Sequence, residues 1–414
     1  MRERILIVDD NKALAKLIAK KMEKNIDMEI VVAHSFEEAK NIIEDNDDFF
    51  LALLDLNLPD APNGEIVDFV LSKNILSIVL TGSMDEETRK LFMHKDIVDY
   101  VIKDNMNSIS YIFDTINRLS KNRNYKVMVV DDSASERNEI KRILMSQQFK
   151  VFAAAHGEEA MSYIEDNPDM KFVLTDYNMP VMDGFELMQN IRQKYDKNSL
   201  AVIVLTSNDE DRTGAKFLKN GANDYIKKPF SKEELICRIN NTIESMENIN
   251  AMSKFANTDF LTGVYNRRYF YSFMADYYRN NKDSNFVVAM FDIDNFKSVN
   301  DKFGHDIGDI VIQKLAIFLL QEVGSKGIVA RFDGEEFCVV LLNTKFDDGV
   351  KIMVNTRAKI AACLINIKEN VVKFTVSIGV TNGDCATDID KLISVADQAL
   401  YVAKNSGKNK VEIL

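Results

Sequence analysis

Arg331-Phe332-Asp333-Gly334-Glu335-Glu336-Phe337 sets two adjacent carboxylates just past a tight turn, between two apolar, strand-like runs. Gly327 to Phe332 rises into the turn and Phe337 to Leu342 leaves it. Asp-Gly between such runs predicts a β-hairpin, because both central residues of that turn must tolerate positive φ. A second acidic group lies upstream in Phe291-Asp292-Ile293-Asp294-Asn295-Phe296-Lys297, at the end of the apolar run Phe286 to Phe291. Two strands that each deliver carboxylates to one edge make a natural cage for Mg²⁺ and a nucleoside triphosphate.

Outward from this region, the chain repeats itself at an interval of about 120 residues. Arg4-Ile-Leu-Ile-Val-Asp9-Asp10 recurs as Lys126-Val-Met-Val-Val-Asp131-Asp132. Phe50 to Pro59, containing Asp55 and Asn57, recurs as Phe172 to Pro180, containing Asp176 and Asn178. Ser77-Ile-Val-Leu-Thr81 matches Val202-Ile-Val-Leu-Thr206, and Asp99-Tyr100-Val-Ile-Lys103 matches Asp224-Tyr225-Ile-Lys-Lys228. Each fragment is a short apolar strand ending in a polar residue, and helical stretches such as Ala13 to Met22 and Ser135 to Met145 separate them. That alternation predicts, twice, a doubly wound parallel sheet whose polar ends gather at the carboxyl edge.

The length of 414 residues allows several domains with their own cores. The net charge of −12 argues against DNA or anionic-membrane binding, so a nucleotide site needs local positive charge. No apolar run reaches membrane-spanning length, and Ile5 to Val8 already reads as a core strand rather than part of a leader. Cys237, Cys338, Cys363 and Cys385 show no metal-ligand spacing and are expected to be reduced structural thiols, as in the cytoplasm.

The two repeats resemble the receiver domains of two-component response regulators. The resemblance implies Asp55 and Asp176 as phosphoacceptors, whose carboxylates attack, with a metal's help, a phosphoryl group carried by a sensor histidine kinase. It implies Mg²⁺ held by Asp9, Asp10, Asp55 and the Asn57 carbonyl, and by Asp131, Asp132, Asp176 and the Asn178 carbonyl. Lys103 and Lys228 would pair with the phosphoryl group, Thr81 and Thr206 would hydrogen-bond it, and Tyr100 and Tyr225 would then turn inward. The second repeat is the closer match: the first has one extra residue between Pro59 and Gly64, and Asp104 where Pro229 stands. By analogy with tandem-receiver cyclases, the first is expected to be the regulated input.

The hairpin resembles the GGDEF signature of diguanylate cyclases, with the first glycine replaced by Asp333. Asp259-Phe-Leu-Thr-Gly263-Val-Tyr-Asn266-Arg267-Arg268 resembles the opening DxLTGLxNRR. Asn300-Asp301-Lys-Phe-Gly304-His305-Asp-Ile-Gly308-Asp309 resembles NDxxGHxxGD, and Ala396-Asp397 through Gly407-Lys408-Asn409 resembles the closing ADxALYxAKxxGRN. Four motifs in order over roughly 155 residues form a specific pattern. The implied reaction joins two GTP into cyclic di-GMP across a homodimer interface, since one domain holds one GTP. Asp292, Glu335 and the Ile293 carbonyl would hold Mg²⁺, and Glu336 would assist at the metals and in deprotonating the 3′-hydroxyl. Asn300 and Asp309 would read guanine. Lys404 and Lys408 would neutralise the β- and γ-phosphates, with Lys297 a further phosphate candidate and Gly334 letting the turn approach the nucleotide. Lys408 stands where the family usually has arginine, which keeps the charge but not the bidentate geometry. The family's RxxD product-binding motif is replaced by Gly324-Ser325-Lys326-Gly327, so feedback through that site is expected to be absent.

The expected architecture is therefore an α/β multidomain chain. Two flavodoxin-like doubly wound receiver domains, 1–122 and 123–248, precede an α+β GGDEF nucleotidyl-cyclase-like domain at 249–414. Ser231 with Glu234 reads as the cap of a helix reaching about Ala256, whose stripe Leu235, Ile239, Ile243, Met246, Ile249 and Met252 first packs on the sheet and then offers a dimer contact. The alternative, raised by Asp333, is a non-catalytic response regulator whose third domain binds GTP or a protein partner.

Overall fold

In the computed structural model the described residues are 3–46, 48–82, 95–103, 106–207, 211–281, 285–367, 370–385 and 388–414, with the side chains of 106, 107, 211–213, 280, 367, 370 and 385 set aside. Asp104 and the Cys385 side chain thus lie outside the described set. Contacts divide the chain into two units, Met1–Asn248 and Ile249–Leu414.

The first unit holds two five-stranded parallel sheets. Strands β1 (Arg4–Val8), β2 (Glu29–Ala33), β3 (Phe49–Asp55), β4 (Leu76–Thr81) and β5 (Asp99–Ile102) run in the order β2-β1-β3-β4-β5. Strands β6 (Lys126–Val130), β7 (Lys150–Ala154), β8 (Met170–Asp176), β9 (Ala201–Thr206) and β10 (Asp224–Lys227) repeat that order as β7-β6-β8-β9-β10. Apolar cores cover both faces of each sheet, which explains why the central strands read as continuous apolar runs rather than alternating ones. Parallel pairing sends every strand's carboxyl end to one edge, where Asp9, Asp55, Thr81 and Lys103 gather in one sheet and Asp131, Asp176, Thr206 and Lys228 in the other.

The helices match the sequence expectation with modest extensions, Lys12–Asn25 and Ala134–Ser146. The long helix is Lys232–Asn257, capped by Ser231 Oγ accepting from the Glu234 N–H at 3.1 Å. Leu235, Ile239, Ile243 and Met246 are buried, whereas Ile249, Met252 and Phe255 are exposed, so its stripe changes from core to surface after Met246.

The second unit is a mixed six-stranded sheet. It contains β11 (Tyr265–Asn266), β12 (Phe286–Ile293), β13 (Gly327–Asp333), β14 (Glu336–Leu342), β17 (Val376–Asn382) and β18 (Val411–Ile413) in the order β11-β13-β14-β12-β17-β18. A separate small hairpin pairs β15 (Ile365–Ile367) with β16 (Asn370–Val372). The fully buried β12 lies between antiparallel β14 and β17. Helices His305–Val323 and Phe346–Ala362 cover one face, and Arg267–Asn280 and Ile389–Asn405 the other.

The predicted hairpin is present, but its turn is shifted by one residue. Asp333 pairs with Glu336, so the central residues are Gly334 and Glu335, and only Gly334 among the three takes positive φ, at 31°. A register shift between Arg331 and Asp333 absorbs the extra residue as a bulge. Asp333 therefore ends a strand and is spared the left-handed conformation expected of it.

Candidate functional sites

At the edge of the first sheet, Lys103 Nζ lies 2.8 Å from Asp9 and 2.6 Å from Asp55. Asp9, Asp10 and Asp55 bring carboxylate oxygens within 4.8 Å of one another, a spacing fit for a hard divalent cation. Burial raises the Asp9 carboxyl above its usual range, against the pull of Lys103. Oxygen ligands and surplus negative charge are what a bound cation would relieve. Asn57 and Asn178 each donate their backbone N–H to the adjacent acceptor carboxylate, at 3.2 Å to Asp55 and 2.7 Å to Asp176.

The second sheet edge differs in one respect. Lys228 Nζ contacts Asp176 at 2.5 Å, Glu136 at 2.5 Å and Asp131 at 3.1 Å. Burial lowers the Lys228 pKa, but the Asp176 and Glu136 hydrogen bonds outweigh it and hold the ammonium above its ordinary range. Burial also raises Asp131. Asp132 is exposed beside this cluster, as Asp10 is beside the first. Thr81 and Thr206 are buried, while Tyr100 and Tyr225 pack half-buried against the cores. Glu136 was not singled out in the sequence; its place in the first turn of the helix after Asp131 was the available signal.

Within the first unit the two sheets are tied together. Lys232 Nζ donates to the Ile97 carbonyl at 2.6 Å, and Gln147 Nε2 to the Val98 carbonyl at 3.0 Å. Arg118 at 2.7 Å and Tyr125 Oη at 2.5 Å both donate to Glu247 Oε1.

In the second unit, the register of β12 and β14 sets Asp292 opposite Glu336. Lys404 Nζ reaches Asp292 Oδ2 at 2.5 Å from the helix Ile389–Asn405. That helix lies so close to β17 that a Cβ on Gly379 would meet the Ala396 carbonyl oxygen at 2.1 Å, so a glycine is needed for Lys404 to approach. Burial raises the Asp292 carboxyl despite Lys404, and burial together with the Asp292 charge raises Glu336. The side chains of Asp292, Glu335 and Glu336 are spread more widely than the triad at the first sheet edge, which alone among the described residues meets the 4.8 Å spacing. Their donor type, carboxylate oxygens with unbalanced charge, nevertheless suits a hard divalent cation.

Asn300 Oδ1 is buried and has no hydrogen-bond partner, so an acceptor is available beside the exposed Asp309. Lys408 Nζ donates to Asn295 Oδ1, and Lys297 is exposed. Asp333 is exposed, and its Oδ1 accepts the Gly334 N–H at 2.9 Å. Arg331 does not offset Asp333: its Nε donates to the Gly334 carbonyl at 2.8 Å and its guanidinium pairs with Asp259 at 3.0 Å. Asp294, quoted with the acidic group, accepts Ser377 Oγ at 2.6 Å, Thr375 Oγ1 at 2.6 Å and the Asn409 N–H at 2.9 Å. Cys338 is buried and Cys237 exposed, so the latter is not a core thiol.

Residues 256–410 match the family model described as diguanylate cyclase, GGDEF domain, and residues 127–240 match that of the response regulator receiver domain. The chain is 28% identical over 308 residues to the response regulator PleD of Caulobacter vibrioides, a match covering 69% of this chain and 65% of that protein. It is 36% identical over 158 residues to the diguanylate cyclase DgcP of Pseudomonas aeruginosa, covering 38% of this chain and 24% of that one. A crystal structure described as a putative two-component system response regulator/GGDEF domain protein aligns with a TM-score of 0.54 at 34% identity, covering 59% of this chain and all (100%) of that chain. The fold and these matches define a response regulator with a GGDEF output domain. The chain belongs to the response regulators that join a receiver domain to a GGDEF domain. Among the described residues, no helix is long and apolar enough to cross a membrane.

Proposed function

We infer that this protein is a cytoplasmic, phosphorylation-controlled diguanylate cyclase, built as receiver 1–122, receiver 123–248 and cyclase 249–414. The observation that carries the reading is the facing of Asp292 and Glu336 on the central strands, with Lys404 on Asp292, inside a domain of the GGDEF family. The substrate is GTP, the input a sensor histidine kinase, and the active form a homodimer.

In each half-reaction the 3′-hydroxyl oxygen of one GTP bonds to the α-phosphorus of the other. The P–O bond to the β-phosphate breaks, pyrophosphate leaves with its electron pair, and the hydroxyl proton passes toward Glu336. Repetition in the opposite sense closes the ring. The raised Glu336 carboxyl is a better base than an ordinary glutamate. Asn300 Oδ1 and Asp309 offer acceptors to the guanine N1–H and N2–H, where adenine would present a lone pair. Lys404 and Lys408 neutralise the leaving pyrophosphate. Mg²⁺, held by Asp292, Glu335 and the Ile293 carbonyl, would supply charge neutralisation at the phosphates. Holding two domains together raises the effective concentration of one half-site at the other, which makes dimerisation a control point.

At the receiver sites Asp55 and Asp176 are the acceptors, with Lys103 and Lys228 each placed on its acceptor carboxylate. The reading is tested by turnover of purified protein with GTP and Mg²⁺, with and without beryllofluoride, measuring cyclic di-GMP. Asp55→Ala and Asp176→Ala assign the input: activation lost only in the Asp55 variant identifies the first receiver, and activation retained there removes that assignment. The rival, a non-catalytic regulator, is favoured by Asp333 and is the outcome if folded protein dimerises with the mimic yet yields no product.

A further inference from the structure

We propose that Asp294 and Arg357 are positioning residues that clamp the turn Gly407-Lys408-Asn409 and so aim Lys408 at the triphosphate. This rests on the reading of the domain as a GTP site. Three consecutive residues of the turn take positive φ: Gly407 at 116°, Lys408 at 60° and Asn409 at 48°. For the two non-glycine residues this conformation is unfavourable and persists only where surrounding contacts over-determine it.

The contacts come from two sides. Asp294, at the carboxyl end of the central strand, is buried, and its Oδ2 accepts the Asn409 N–H at 2.9 Å. Thr375 and Ser377 hydroxyls, each at 2.6 Å, fix that carboxylate. From the helix Phe346–Ala362, Arg357 donates to both the Asn409 carbonyl and its Oδ1, each at 3.0 Å. The Lys408 N–H is held by the Ala403 carbonyl at 3.0 Å, and its ammonium rests on Asn295. Asp294 thus spends both carboxylate oxygens on protein donors, whereas Asp292 two residues earlier accepts from Lys404 through Oδ2. A lysine lacks the planar fork of an arginine, so the direction given to its stem matters more here.

The test compares fluorescent GTP and GMP binding in full-length protein, alongside turnover and thermal melting. Arg357→Ala is expected to weaken GTP about tenfold while leaving GMP, which lacks the β- and γ-phosphates, within about twofold. The double variant R357A/K408A should be no weaker than Lys408→Ala alone. Asp294→Asn should stay within about threefold of the parent, because the amide oxygen can keep accepting from the Asn409 N–H and Thr375 while the Ser377 hydroxyl reverses and accepts from the amide nitrogen. Equal losses for GTP and GMP in Arg357→Ala, or additive losses in the double variant, overturn the proposal. So does an Asp294→Asn variant as dead as Asp292→Asn, which would make Asp294 a metal ligand. A parent that shows these binding differences but makes no cyclic di-GMP would sink the cyclase reading and leave the clamp standing.

Discussion

Gly308 faces Asn300 so closely that a Cβ at position 308 would lie 1.9 Å from Asn300 Oδ1. The helix His305–Val323 therefore needs a glycine in its first turns to leave room for a buried amide oxygen that has no protein partner. Gly308→Ala would displace Asn300 without altering any charge in the site. The expected result is a GTP affinity lowered by roughly tenfold and a narrowed preference for GTP over ATP, as when a base-reading hydrogen bond is lost. Competition binding with both nucleotides checks it; unchanged preference would separate Asn300 from base recognition.

Glu247 gives a prediction about pH. Burial alone would raise its carboxyl, but the Arg118 and Tyr125 hydrogen bonds and the Arg118 charge bring it down to about 2. A depressed carboxylate stabilises the fold fully above its unfolded pKa and loses that contribution as pH falls through the folded value. The contribution is therefore complete above about pH 4.5 and vanishes toward pH 2, with an upper limit of about 3 kcal/mol. Glu247→Gln should lower the melting temperature of the first unit by roughly 5 °C at pH 7. That difference from wild type should shrink steadily below pH 4.5. A constant difference across the range would mean that packing, rather than charge, is what the substitution removes.

The same contacts mark where sequence reading ran out. Strand ends were legible because an apolar run stopping at Asp9, Asp55, Asp131 or Asp176 carries its own punctuation, and parallel topology then collects those ends. The change in the long helix was half legible: periodicity continues unbroken to Met252, and only packing separates buried Met246 from exposed Ile249. The hairpin turn was misplaced by one residue because a bulge leaves no local signature in a strand of ordinary composition. Arg118–Glu247, Arg331–Asp259 and Arg357–Asn409 join residues separated by 129, 72 and 52 positions, and no period or spacing reports such pairs.

The feedback segment has a structural counterpart. Gly324–Lys326 forms a single 3₁₀ turn with Gly324 at φ 52°, leading into β13 with no guanidinium or carboxylate of its own. A guanine-bearing product has no bidentate donor to meet there. Initial rates with added cyclic di-GMP should therefore be unchanged at micromolar concentrations, apart from competition at the GTP site. Inhibition that disappears on altering Ser325 or Lys326 would contradict this.

Asp333 decides whether the altered signature still permits catalysis. A carboxylate about 4 Å from a phosphate would cost about 4 kcal/mol at an effective dielectric near 20, but only about 1 kcal/mol where water screens it. The side chain is exposed and turned back onto its own turn, accepting the Gly334 N–H, which favours the smaller figure. That hydrogen bond also spreads part of the negative charge onto the turn backbone. Asp333→Gly should therefore raise kcat/KM for GTP by no more than about fivefold, the rate equivalent of about 1 kcal/mol. The gain should also diminish with added salt, because an exposed charge is screened over a Debye length of about 8 Å at physiological ionic strength. A gain near a thousandfold would show that Asp333 swings onto the nucleotide in the bound state. The natural chain would then be held nearly inactive by a single carboxylate.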